Sequence, residues 1–495
     1  MTLSQFEAKA SSVLQNMKLQ HSYRNAMDYL VERRQQQFND PHEWYTLRKT
    51  GTSIKTKALS RLPELLLQLE AKLINNGIQV HWAETPGEAN QIVLQLIKET
   101  TASTPPDAHA PVVKGKTMVS EEIHLNQYLT QQDIPCLETD MGEFIVQLAN
   151  ETPSHIIMPA IHKSKADIAQ LFKKHVSGQY QDDVDTLIQQ ARQHLRQRFQ
   201  KAMVGISGVN FAVAETGTLV LVENEGNGRM CTTLPKVHIA LMGLEKVIAS
   251  MAELPPLLSL LTRSATGQSI TTYINMISGP RCTGEKDGPE QVHVILLDNG
   301  RSQLWEDQTF RDVLRCIRCG ACMNHCPVYT RVGGHTYGTT YPGPIGKILA
   351  PQLESQSSRA SELPFASSLC GACGEVCPVK IPIPQLLLRW RQEATGQYRS
   401  YHDSHFSATH TQLTPITGQQ YSRRQHFIWK TWSWLNCHPK LYHFITHLVT
   451  KCRALFPHQL GGWTSYRTPL VPASNTLHQR LKAHRRHTAL SKKQV

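Results

Sequence analysis

The chain has 495 residues, 40% hydrophobic and 18% charged, which points to a folded globular protein of about two to four domains. Its 12 cysteines are too few for a disulfide scaffold of this size, and the packing of seven of them into two short runs points instead to metal and a reducing compartment. The formal net charge is +13, but from Tyr401 onward there are 13 Lys/Arg and one acid, Asp403, so the basic character belongs to the tail.

The N-terminus, MTLSQFEAKA, lacks the apolar core of a signal peptide, and a cytoplasmic protein is expected. Residues 1–75 read as helical: Leu62, Leu65, Leu66, Leu69 and Leu73 line one helix face, and Asn75-Asn76-Gly77 is a fitting stop. Ile78–Trp82 alternates as a strand. Thr85-Pro86-Gly87-Glu88 then has the form of a helix start, with Thr85 as cap, before a helix through Ile92, Leu94 and Ile97.

The alternation continues. Pro111-Val112-Val113 is a short apolar run, and Ser120-Glu121-Glu122 opens a helix. Ile134–Glu138 is a predicted strand, Met141–Leu148 a helix and His155–Met158 a strand ending at Pro159. A polar helical stretch covers about 164–203. Residues 208–214 and 218–222 form a predicted hairpin, with Glu215-Thr216-Gly217 as its turn. Val237–Leu241 is a strand followed by a helix through Leu244 and Val247. Val292–Leu297 is the last strand, stopped by Asp298-Asn299-Gly300. About seven strands alternating with helices predict one α/β domain over 76–300, a single sheet with helices on both faces. Lys114-Gly115-Lys116-Thr117 could hold an anion, although it lacks the full phosphate-loop pattern, and a solvated loop explains it as well. Glu215–Thr218 and Glu223–Asn227 lie near strand ends, where ligands bind in open α/β sheets, although tight turns also account for Gly217 and Gly226. No GxGxxG opens a helix, so no classical nucleotide-binding module is expected, and no nucleophile–base constellation is specific enough to be named catalytic.

Past Leu304 strands vanish and cysteines cluster, which predicts a separate domain over 305–395 with a surface loop at 355–361. The first run is Cys316-Ile-Arg-Cys319-Gly-Ala-Cys322-Met-Asn-His-Cys326-Pro327, the spacing of bacterial ferredoxins. Two-residue gaps let a tight loop present three thiolates to one cubane, and the fourth cysteine serves the other cluster. The second run, Cys370-Gly-Ala-Cys373-Gly-Glu-Val-Cys377-Pro378, has Ser367 where the pattern would place a further cysteine. Two [4Fe-4S] clusters are therefore expected, one on Cys316, Cys319, Cys322 and Cys377, the other on Cys326, Cys370 and Cys373 without a cysteine at its fourth corner. Ser367 could fill that corner as an alkoxide. Preferred are another group, such as His335, Cys282 or a substrate, or a three-iron form. Zinc is the competing reading, but seven cysteines with two Cys-Pro endings exceed one zinc site. Gly320, Gly371 and Gly374 let backbone N–H groups approach cluster sulfurs. Cys136, Cys231, Cys282, Cys437 and Cys452 read as ordinary thiols.

The tail over 400–495 is basic, His-rich and Pro-punctuated. Its most apolar stretch, Phe427 to Val449, is interrupted by Lys430, Asn436, His438, Pro439 and Lys440, too polar for the run of about 18 apolar residues that spans a membrane. Trp429, Trp432 and Trp434 beside Arg423, Arg424 and Lys430 suit docking onto an acidic partner protein. Peripheral contact with an anionic membrane is a second reading. Such residues can also bind nucleic acid, which is not expected here, and a solvated extension is the bland alternative.

In order and motif the chain resembles the bacterial lactate-utilisation iron–sulfur proteins, the B component of a three-protein system. The resemblance rests on Val80-His81-Trp82-Ala83 with Glu88-Ala89-Asn90, Lys114-Gly115-Lys116 through Ile123, Glu138–Glu143, Glu215–Thr218, Gly333-Gly334-His335, Tyr341–Gly346 and Ser368–Cys373. It implies an α/β lactate-utilisation domain of the NagB/RpiA/CoA-transferase-like fold and a helical, ferredoxin-like two-cluster module. It also implies electron transfer during oxidation of L-lactate to pyruvate, in complex with its sister subunits, the lactate-utilisation proteins A and C. Seven cysteines without an eighth match that family, and nothing is carried over to the tail. Two other functions remain open: the α/β domain as the hydroxy-acid-oxidising unit, with a base near Glu215, and a redox sensor with a labile second cluster and the tail as effector.

Overall fold

The structure, a computed structural model, describes residues 5–102, 112–354, 360–394, 423–455 and 471–491. Ser12–Thr417 form one compact unit, so the expected segments 76–300 and 305–395 lie inside a single body. Gly418–Val495 with Met1–Ser11 form another. The expected loop at 355–361 falls largely outside the described residues.

In the large unit the strands are β1 (Gln79–Ala83), β2 (Val112–Lys114), β3 (Cys136–Glu138), β4 (Val204–Gly208), β5 (Phe211–Val213), β6 (Thr218–Glu223), β7 (Val237–Gly243), β8 (Val247–Ile248), β9 (Tyr273–Ile277) and β10 (Gln291–Leu297). Six form a parallel sheet in the order β1-β10-β7-β4-β2-β3. Its central strands are buried on both faces, as in other parallel sheets. The other four form a second, mixed sheet, β8-β5-β6-β9, so the expected single sheet is in fact two. The predicted hairpin is its β5–β6 pair, and β9 completes it.

Local chemistry sets several boundaries. The Thr85 side chain accepts from the Glu88 N–H and starts the helix Pro86–Thr101. The helix Met141–Leu148 is capped by Asp140. The predicted strand His155–Met158 does not form. The His155 ring accepts from the N–H groups of Ile157 and Met158, 3.0 and 3.1 Å away, and so curls the segment. The expected helix through Leu244 and Val247 is a short 3-10 turn, Leu244–Lys246, leading into β8. The polar stretch after 164 divides into helices Lys165–Phe172 and Val184–Lys201.

The N-terminal helices Met17–Gln37, Pro41–Ser60 and Leu62–Asn75 hold the cysteine-bearing segment to the α/β part. The five leucines expected to line one face of the last are all buried. Ser154 ties three segments together. Its hydroxyl lies 2.7 Å from the Tyr23 hydroxyl and accepts from the Gly334 N–H at 3.2 Å. Its carbonyl accepts from the Tyr329 hydroxyl at 2.7 Å. A Cβ on Gly334 would stand 1.8 Å from that carbonyl oxygen, with no flexible group to give way.

In the smaller unit, helices Arg423–Asn436, Pro439–Lys451 and Leu477–Ser491 occupy a region that the sequence presents only as a basic extension. Trp429, Trp432, Trp434 and Phe444 are exposed on them. Among the described residues no helix is long and apolar enough to cross a membrane.

Gly334→Ala should destabilise the large unit by about 1–3 kcal/mol, the cost of overpacking a tight contact. The expected readout is a lower urea midpoint with unchanged slope; an unchanged midpoint would mean that the Ser154 contact is loose.

Candidate functional site

The first cysteine loop follows the 3-10 turn Phe310–Arg315. Arg318 and Gly320 take left-handed backbone angles, φ 60° and 74°, and the short helix Ala321–Asn324 carries Cys322. The Arg318 N–H donates to Cys316 Sγ at 3.4 Å. The second loop repeats this geometry. Leu369 and Gly371 have φ 53° and 89°, and the helix Ala372–Val376 carries Cys373. The Leu369 N–H donates to Ser367 Oγ at 3.2 Å, as Arg318 does to Cys316. Ser367 therefore sits where the first loop has its first thiol.

Cys319, Cys322, Cys326 and Cys377 are buried, Cys316 and Cys373 partly so, and Cys370 is exposed. Burial pushes the Cys319 thiol up to about 12, with Cys377 and Cys316 adding to the shift. Burial raises Cys322 also, with Cys319, Cys316, Cys377 and Cys373 adding. Cys373 rises to about 11 through burial, with Cys326 and Cys370 adding. Buried thiols pushed up in this way become thiolates only when cations answer them. The N–H groups of Tyr329 and Ile381 donate to Cys326 and Cys377 at 3.5 and 3.4 Å. Arg48 donates to the carbonyls of Cys377 and Gly374, both at 2.7 Å. Among the described residues no three His, Cys, Asp or Glu side chains close to single-ion spacing, whereas a zinc gathers its sulfurs about 2.3 Å from one centre. Seven thiols, three of them receiving backbone N–H···S bonds, exceed the four ligands of one zinc and suit iron–sulfur cubanes.

The candidates for the remaining corner part company. Ser367 lines a small cavity together with Cys326, Cys370 and Cys373. His335 turns to the Thr152 carbonyl at 2.6 Å and packs against His162. Cys282 is exposed between β9 and β10. Neither is among the residues lining that cavity.

A buried ion network joins the first loop to the sheet. Arg301, 1% exposed, donates two hydrogen bonds to Glu122, both 2.8 Å, and one to Glu245 at 2.6 Å. Arg318 donates to the other Glu245 oxygen at 3.1 Å. Tyr341 donates to Glu122, and Lys55 donates to the Glu245 carbonyl. Burial alone would raise the Glu245 carboxyl; Arg301 and Arg318 hold it well below the usual carboxylate range.

Beside this network lies a cavity of about 350 Å³. Gly115, Lys116 and Thr117 reach it from the end of β2, Ser207 and Gly208 from β4, and Lys246 from the turn after β7. This is the carboxyl end of the parallel sheet, where α/β proteins bind ligands. Arg318 and Tyr341 close it on the cysteine side. Burial lowers the Lys246 ammonium to about 8, with Arg318 contributing. Burial, then Asp140, push the Glu225 carboxyl up to about 7 on the far wall. Of the sequence candidates, Gly115–Thr117 and Glu223, Asn224, Glu225 and Asn227 line the cavity. Lys114 is instead buried against Glu138 and Glu121 at 2.6 and 3.1 Å. Glu215 caps Met251 and does not line it. Sequence reading missed Lys246 and Arg318, and noticed Tyr341 only as part of the Tyr341–Gly346 motif, not as a cavity residue. The one available signal was the charged pair Glu245-Lys246 set between apolar runs.

Arg301→Met should cost about 3–5 kcal/mol, because it leaves two buried carboxylates without their fork. Thermal unfolding checks this, and a shift of under about 1 kcal/mol would mean that the network contributes little.

Residues 66–297 match the LUD domain family, 312–381 the 4Fe-4S dicluster domain, and 402–486 the C-terminal domain of lactate utilisation protein B. The dicluster match spans both cysteine loops, which form an iron–sulfur module. "Lactate utilization protein B" of Bacillus velezensis is 43% identical over 388 residues, 78% of this chain and 80% of that one. Its namesake in Bacillus subtilis is 42% identical over 388 residues, 78% and 79% of the two chains. "Uncharacterized electron transport protein YkgF" of Escherichia coli is 42% identical over 387 residues, 78% and 80%. The three segments in this order, together with relatives matched over most of both lengths, show that the chain belongs to the lactate utilization protein B family.

Proposed function

We propose that the chain is an iron–sulfur electron-transfer subunit acting in the oxidation of L-lactate to pyruvate, together with its sister subunits, the lactate-utilisation proteins A and C. The observation that carries this reading is the pair of geometrically matched loops that gather seven thiols beside the α/β cavity. Oxidising lactate to pyruvate releases two electrons and two protons. A [4Fe-4S] cluster, when bound, supplies a one-electron relay, so two of them match the two-electron yield. Cys316, Cys319, Cys322 and Cys377 would hold one cluster; Cys326, Cys370 and Cys373 would hold the other, with the Ser367 hydroxyl at its remaining corner. The chain's part is to set the electrostatics. N–H donors at Arg318, Tyr329 and Ile381 stabilise extra negative charge on the sulfurs. Buried Lys347, near Cys326 and Cys373, and Arg34, near Cys319 and Cys377, act in the same direction. The half-exposed second loop faces outward to a partner, and the tryptophan-bearing basic tail suits docking onto an acidic protein.

Anaerobic purification with iron, sulfide and zinc analysis tests the proposal. The expected result is about eight iron per chain, or about seven with a three-iron paramagnetic resonance signal. In the latter case Ser367→Cys should raise the count to about eight and remove that signal. Zinc without sulfide would overturn the reading.

A further inference from the structure

The electron-transfer reading leaves the 350 Å³ cavity without a role. Two buried cations border it. Arg318, 8% exposed, gives one terminal nitrogen to Glu245, while its other, Nη1, has no partner among the described residues. Lys246, 7% exposed, has no side-chain hydrogen bond or ion pair among the described residues. Arg301, Arg318, Lys55 and Lys246 share the carboxylates of Glu122 and Glu245 and lie near the Cys316 sulfur, yet Arg318 Nη1 and the Lys246 ammonium make no direct contact with any of these anions among the described residues. Burying a charge without a partner costs several kcal/mol, so this arrangement calls for an anion.

The acids on the far wall do not answer it: each is turned to backbone donors, and among the described residues none forms an ion pair with Lys246 or Arg318. Glu223 accepts from the N–H groups of Gly228 and Arg229 at 3.0 and 2.9 Å. Glu225 accepts from Met141 at 2.9 Å, and Asp140 from Glu143 at 3.1 Å. The backbone donors that would cradle a phosphate at Gly228 and Arg229 are therefore taken by the protein's own carboxylate. The donors left over are one ammonium and one guanidinium nitrogen, a pair suited to the two oxygens of a carboxylate.

We propose that this cavity binds a small carboxylic acid, with its carboxylate held between Lys246 Nζ and Arg318 Nη1. Arg318 also carries the consequence of binding. Its backbone N–H bonds Cys316 Sγ while its side chain forms the cavity wall, so an anion neutralising the guanidinium alters the field at that sulfur. The binding site stands on its own geometry; the coupling to the first loop rests on the electron-transfer reading.

The test uses the full chain, purified anaerobically with its iron and sulfide counted, and titrated calorimetrically with L-lactate, pyruvate and inorganic phosphate in turn. Saturable one-to-one binding of lactate or pyruvate is expected, weakened tenfold or more by Lys246→Gln and by Arg318→Gln and retained by Lys246→Arg. In a redox titration followed by paramagnetic resonance, the bound acid should shift the midpoint of one signal and not the other, and Lys246→Gln should abolish that shift at unchanged iron content. If Arg318→Gln loses iron, Lys246→Gln decides. Absence of binding in iron-replete protein, binding of phosphate alone, or binding that Lys246→Gln leaves intact would overturn the proposal. Acid binding by a chain that holds no iron would instead overturn the electron-transfer reading and leave the site standing.

Discussion

Arg301 holds together the carboxyl end of the sheet. Its guanidinium is clasped by Glu122 from the helix after β2 and by Glu245 from the turn after β7, while Arg301 itself follows β10. Three crossovers thus meet in one buried fork. Gly243 leaves the room for it: a Cβ there would lie 2.2 Å from a Glu245 oxygen and 2.3 Å from Arg301 Nε. The fork also orients the second Glu245 oxygen toward Arg318, and so fixes where the first cysteine loop docks. A buried pair of this kind adds little net stability over an apolar substitute. What it contributes is register, since Glu122, Glu245, Arg301 and Arg318 satisfy one another in only one arrangement of the segments.

The cysteine loops depend on that register. Each has a left-handed residue whose N–H closes back on the side chain two positions earlier, Cys316 or Ser367, and each continues into a short helix. The N-terminal helices complete the enclosure through Tyr23, Arg48 and Lys55. The segments that carry the family likeness therefore have physical work: Gly334 admits the Ser154 carbonyl, and Tyr341 completes the hydrogen bonding of Glu122.

Much of this was legible in the residues. The leucine stripe of 62–73, the Thr85 cap and the helix Met141–Leu148 are local features, and they appear where periodicity and capping place them. The two cysteine runs mark an iron–sulfur module by their spacing, and the dicluster match spans both. What escaped notice is non-local or masked by composition. β4, Val-Gly-Ile-Ser-Gly, has two glycines and a serine and no alternation, yet it lies at the sheet's centre because its neighbours β7 and β2 cover it. β9 carries a polar Asn275 and an exposed Met276. His155–Met158 has strand composition, but a single imidazole takes its N–H groups. Lys246 and Arg318 lie 72 positions apart, and nothing in either neighbourhood signals the other.

The two loops differ in cover: the first is sunk beneath the N-terminal helices and the α/β part, while Cys370 of the second stands at the surface. A conductor insulated at one end and bare at the other has a polarity before any potential is measured. On the electron-transfer reading, charge that entered from the cavity would meet the covered loop first, and a molecule docking over Cys370 would be the one placed to draw it off. On the same reading, dissolved oxidants would reach that outer contact first, so corrosion would begin at the exposed terminal and leave the buried one sound for longer.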